Sequence, residues 1–166
     1  MFRGLRHTAW LFAILGALAA LGAAAVTITS VLGRAFFTRP VQGDVEIMQF
    51  AIALAISLAI PWCQLRGANI IVDFFTQRLR QRRIQWLDGV GALLIAAMYL
   101  LLAWRTSAGA IAVHAASETS MILALPMWWA YASLAPGLAL AALIALTQAA
   151  LHFAGRSLDG LQGAQA

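Results

Sequence analysis

Lysine is absent from this sequence, and all 11 basic residues are arginine. Only six residues are acidic, so charged side chains make up 10% of the chain. A soluble domain carries about 25% charged and roughly 45–50% apolar residues, whereas 63% of this chain is hydrophobic. So few charges cannot cover a water-facing surface of this size. A soluble globular domain is thereby excluded, and most of the surface must face lipid. The single cysteine, Cys63, excludes a disulfide within the chain and leaves the redox compartment open. Also missing are a glycine-rich phosphate loop ahead of a helix, a Cys–His nucleophile pair and a basic–aromatic nucleic-acid motif. The chain is therefore not read as an enzyme, and no metal or cofactor is expected in it. At this length one folded unit is expected, a single membrane domain over 1–166.

What the sequence does contain is long apolar runs. A spanning helix needs about 20 mainly apolar residues, because the hydrocarbon layer is about 30 Å thick and a helix rises about 1.5 Å per residue. Four runs meet or approach this, over 8–32, 45–62, 86–104 and 126–153. They are Ala/Leu-rich without period-two alternation, which excludes barrel strands. Helices satisfy every backbone polar group internally, as lipid demands. The expected fold is all-α and integral to the membrane, with four transmembrane helices. Trp62, Trp86, Trp104, Trp128 and Trp129 fall at the limits of these runs, where amphipathic rings settle at head-group level. They are read as interfacial anchors.

Arginine distribution sets the orientation. With the N-terminus cytoplasmic, Arg3, Arg6, Arg66, Arg78, Arg80, Arg82, Arg83 and Arg156 lie inside, against Arg34, Arg39 and Arg105 outside. This positive-inside bias predicts that both termini are cytoplasmic. The net charge of +5 suits anionic lipid head groups better than nucleic acid. The first run follows a short basic start, as in a signal peptide, and Ala23-Ala24-Ala25 could mimic a cleavage site. Its length exceeds a secretory h-region, so a retained anchor is expected.

Between the second and third runs, Ile70, Ile71, Phe74, Phe75 and Leu79 share one helical face, while Asp73, Gln77 and Arg80 lie off it. This predicts an interfacial amphipathic helix over 69–83, preceded by a turn at Gly67. The plainer alternative is a helical hairpin that extends the two spans; the well-formed apolar face favours the first. Arg66 and Asp73 bracket the segment with opposite charges and are expected to fix its bend. In the fourth run Pro126 suits a first helical turn. Pro136, followed by Gly137, removes an N–H from the helix interior and predicts a kink.

Chemistry-bearing constellations are sparse. His7 and His152 belong to the cytoplasmic ends and could at most ligate haem at matched depth, the basis of an alternative as the haem-bearing anchor of a redox enzyme. Surface histidines are the ordinary reading, for these and for His114. Glu46 and Asp88 open the second and third spans, where a carboxylate is ordinarily a solvated helix end rather than part of an ion path. Small-xxx-small pairs such as Gly16/Ala20 and Gly137/Ala141 permit close helix approach. Apolar midplanes with good packing surfaces favour a subunit of an assembly over a self-sufficient transporter.

Three features together resemble a known family, the small membrane subunit (DctQ-like small permease) of tripartite ATP-independent periplasmic (TRAP) transporters. They are Glu46 opening the second span; Arg66-Gly67-Ala68-Asn69-Ile70-Ile71-Val72-Asp73; and Ser120-x-x-Leu123-x-x-Pro126, followed by Trp128-Trp129, Tyr131, Pro136 and Gly137. Asn69 stands where the family commonly has His, and Pro136-Gly137 where it often has Pro-x-Gly. The resemblance runs from about Gly43 to Gln148. It implies a scaffold subunit of a symporter in the bacterial inner membrane, bracing a large permease (DctM-like) and helping to dock a periplasmic solute-binding protein (DctP-like). It further implies import of organic anions such as carboxylates and dicarboxylates, with the coupling ion, Na⁺, held by the large subunit. Arg105 and Glu118, in the outer segment, are the expected docking residues for the binding protein.

Overall fold

The computed structural model describes residues 2–37, 41–67 and 81–155. Four helices account for nearly all of them: α1 (Phe2–Phe37), α2 (Asp44–Arg66), α3 (Gln81–Ala115) and α4 (Trp128–Phe153). Each is long and apolar enough to cross a membrane. Among the described residues there is no strand, only an isolated bridge between Thr119 and Pro126. The helices stand side by side in the order α1, α2, α4, α3. The bundle is therefore closer to a palisade than to a closed four-helix bundle, and α1 and α3 form its edges.

The palisade holds together through close approach rather than large buried side chains. Buried positions are mainly alanines, including Ala96, Ala141, Ala142 and Ala145, with Leu65 and Ile144 among the few large ones. In lipid, packing and interhelical hydrogen bonds replace water expulsion as the source of association. Gly16 brings α1 so near α2 that an added Cβ would meet Ala55 O at 2.9 Å. The buried and half-buried positions of α3 include Gly89, Ala92, Ala96, Tyr99, Ala103, Thr106, Ala110 and Val113. They alternate in steps of three and four residues, the seam expected of a helix packed at a shallow angle. Gly89 lies against the Phe153 ring and Gly109 against Tyr131, so α3 and α4 run antiparallel in register.

Several boundaries differ from the hydropathy runs. α3 continues through Arg105 to Ala115, because its small-residue seam against α4 persists beyond Trp104. Trp104, read as an interfacial anchor at the limit of the third run, is 70% exposed on the side of α3. Pro126 is not in the first turn of α4. It pairs with Thr119 instead, and the helix starts at Trp128 after the cap residue Met127. The interfacial helix expected over 69–83, with Asn69, Ile70, Val72 and Asp73, falls outside the described residues except for 81–83, which open α3.

One polar contact joins α2 and α4 near their C-terminal ends. Gln64 Nε2 donates to Gln148 Oε1 (2.7 Å), and Gln148 Nε2 donates to Gln64 O (2.9 Å). Both residues are buried where α2 and α4 meet. Interhelical side-chain bonds in membranes contribute about 0.6 kcal/mol on average, and a buried amide that loses one of its bonds adds a desolvation cost of about 1 kcal/mol. Gln148→Leu is expected to lower stability by about 1–2 kcal/mol, read from thermal unfolding in detergent.

Candidate functional site

The most organised polar constellation lies at the outer end, where α2 begins. Gly43 precedes it with φ 73°, the left-handed conformation that glycine adopts without steric cost. A Cβ at Gly43 would also strike Leu123 Cγ at 2.4 Å. The turn delivers two carboxylates on the first helical turn. Asp44 accepts a hydrogen bond from the Ser30 hydroxyl of α1, tying the first two helices together. Glu46, 9% exposed, points to the α3–α4 connection. Its Oε2 accepts from Ser120 Oγ (2.7 Å) and from the Leu123 N–H (2.9 Å), and its Oε1 accepts from the Ile122 N–H (2.8 Å).

The connection is built to meet that carboxylate. Ser120 Oγ also accepts from the Leu125 N–H (3.0 Å). Ser120 N donates to Leu125 O (2.9 Å) and Met127 N to Glu118 O (3.0 Å), which closes the loop on itself. Ser117 (φ 53°) and Ala124 (φ 52°) take left-handed conformations, each costing a non-glycine residue roughly 1–2 kcal/mol. A loop strained at two positions holds its shape only if other bonds determine it, and Glu46 supplies three of them. Met121 is fully exposed at the tip and Ile122 is 62% exposed. Glu118 is exposed at the base. The side chain of His114 packs edge-on against Trp128, which meets Trp129 in the same way.

A second junction lies at the middle of α2. Ser57 Oγ donates to Ser133 O (2.9 Å) and Leu134 O (3.0 Å) of α4. These carbonyls belong to the turn just before Pro136, where the helix lacks one of its own donors. Gly137 completes the contact: a Cβ there would sit 2.0 Å from Ser57 O. Pro136 and Gly137 thus form an interhelical joint. Ser57 carried no sequence signal, since a lone serine in an Ala/Leu run has no distinguishing pattern.

The remaining expected positions fall as follows. Arg66 places its guanidinium 4.9 Å from the Trp62 ring centre, a cation–π contact at the α2 end. Gly67 caps that helix in the left-handed conformation (φ 65°), its N–H reaching Cys63 O and Gln64 O. Tyr131 packs on Gly109. Trp86 and Trp129 are exposed, at 60% and 50%. Arg105 is an exposed residue within α3, not part of the outer connection. His7 is exposed and stacks on Trp10, while His152 sits in the last turn of α4. Their helices touch only marginally, and nothing in this arrangement favours haem. Among the described residues, no group of three or more His, Cys, Asp or Glu is placed to hold a metal ion.

Glu46 lies far in sequence from Ser120 and Leu123 yet meets both in one clasp, beside the Thr119–Pro126 bridge. Glu46, Ser120, Leu123 and Pro126 are also motif positions of the small TRAP subunits that the sequence resembles. The family described as "Tripartite ATP-independent periplasmic transporters, DctQ component" matches residues 23–155. Neither the search of curated proteins nor that of solved structures returned a match.

Proposed function

The chain belongs to the DctQ component family of tripartite ATP-independent periplasmic transporters, and from that premise we propose that it braces a larger permease in the bilayer without forming the transport path itself. It is a multi-pass membrane protein and the small permease component of such a system. The observation that carries the scaffold reading is the packing. The helices meet through alanines, glycines and a few hydrogen bonds that all serve to join helix to helix. Secondary transporters instead gather polar groups around a substrate near the midplane.

In this reading the large permease (DctM-like) holds the substrate and Na⁺ and imports organic anions, carboxylates and dicarboxylates, on a cation gradient. A periplasmic solute-binding protein (DctP-like) delivers them. Both termini lie in the cytoplasm, and the protein sits in the bacterial inner membrane. The arginine bias supports that orientation, and the move of Arg105 from the outer side into α3 strengthens it.

The Glu46-clasped loop then faces the periplasm, and Glu118 at its base is proposed to touch the binding protein. A charge at the rim of an interface acts mainly on association rate and its salt dependence. Glu118→Arg should therefore change the association rate of the binding protein about threefold at low salt, with the difference fading as salt rises. An unchanged salt profile would remove Glu118 from the docking surface.

A further inference from the structure

The exposed side of α3 carries a charge at an unexpected depth. Its outward stripe runs Leu94, Met98, Leu101, Arg105 and Ala108, opposite the seam packed on α4. The register of α3 on α4, with Gly109 against Tyr131, sets Arg105 level with the turn of α4 that precedes Pro136. That turn accepts the hydrogen bonds of Ser57, which lies in the middle of α2. Measured along α3, Arg105 is about 13 Å short of His114, which packs on Trp128 at the start of α4.

The apolar layer extends well past Arg105. On α1, Ile28 and Val31 are 58% and 59% exposed, and they flank Thr27 and Ser30, which bond Met48 and Asp44 at the start of α2. Apolar surface therefore continues to the level of the first turn of α2, above Arg105. Among the described residues, none forms a hydrogen bond or ion pair with the Arg105 guanidinium. A charge inside a span is costly, and such residues ordinarily pair or line a cavity. Reaching the nearer head groups is disfavoured by helix geometry. Cα–Cβ bonds tilt toward the helix N-terminus, so the Arg105 side chain sets out toward Leu101, deeper into the layer.

We propose that this stripe of α3 is the surface on which a second membrane subunit packs, and that a transmembrane helix of that subunit brings an Asp or Glu carboxylate to Arg105 within the apolar layer. The inference rests on the scaffold reading and adds to it the face and the contact. Leu94, Met98 and Leu101 supply an apolar seam, and Ala108 lets a backbone approach beside the charge. The guanidinium, with five donors in a fixed fork, matches a carboxylate in two-point contact.

The test uses the whole complex, with the affinity tag on the large permease subunit. Removing one partner of a desolvated charge pair strands the other, so Arg105→Gln should lower recovery of the small subunit about tenfold. Arg105→Lys should restore part of it. The isolated Gln variant should unfold at the same temperature as the unaltered chain, since Arg105 bonds no other residue among those described. A photo-crosslinker at Leu101 should yield an adduct with the large subunit. Normal recovery of the Gln variant, or crosslinking at Leu101 to lipid alone, would overturn this inference while leaving the scaffold reading intact. Failure of the unaltered chain to associate with the large subunit would overturn both.

Discussion

Glu46→Ala is expected to release the outer loop while leaving the four helices in place. Three donors converge on this carboxylate, the Ser120 hydroxyl and the Ile122 and Leu123 amides. All three lose their acceptor when it is removed. Ser117 and Ala124 would then relax from their left-handed conformations, because the bonds that over-determined them are gone. Amide hydrogen exchange reports this directly, since local opening sets the exchange rate. Ile122 and Leu123 should exchange about a hundredfold faster in Glu46→Ala, whereas amides in the middle of α2 and α4 should be unaffected. Glu46→Gln should fall between, because the amide keeps one acceptor oxygen and turns an N–H₂ toward a donor. Protection at Ile122 and Leu123 equal to that of the unaltered chain would show that the loop is held by its internal bonds alone.

Among the described helix glycines, Gly137→Ala should have the largest effect. The added Cβ would lie 2.0 Å from Ser57 O and 2.3 Å from Ser57 Oγ. The first of these is backbone, so no side-chain rotation relieves the overlap. α2 and α4 must separate, and the Ser57 hydroxyl then loses both carbonyls. Overpacking ordinarily costs about 1–3 kcal/mol, and a clash with backbone belongs at or above the top of that range. Thermal unfolding in detergent should show this, with Gly16→Ala milder, since its nearest contact is 2.9 Å. Gly22→Ala meets nothing within 4 Å and should be neutral or slightly stabilising, as expected of alanine in a helix interior.

Helix number and type were legible because lipid imposes one requirement on every residue of a span, and a run of apolar residues states it directly. Pro136-Gly137 was legible as an irregularity but not as a joint, because its partner Ser57 lies on another helix. Glu46 was visible as a motif position, yet the ordinary reading of a carboxylate at a helix start is a wet one. Its actual partners include backbone N–H groups of a distant loop, and these leave no trace in side-chain pattern. α3 continues past the third apolar run for a different reason. Trp104 and Arg105 together look like a membrane boundary, but the helix continues on the small residues Gly109 and Ala110, whose seam against α4 has no hydropathy signature.

The central claim is that this chain supports transport without conducting it, and uptake in proteoliposomes tests that claim most directly. Vesicles holding this chain alone should take up no organic anion under a Na⁺ gradient. Vesicles holding it with the large permease and the solute-binding protein should do so, and omission of this chain should abolish the activity. Gradient-driven uptake by this chain on its own would contradict the account.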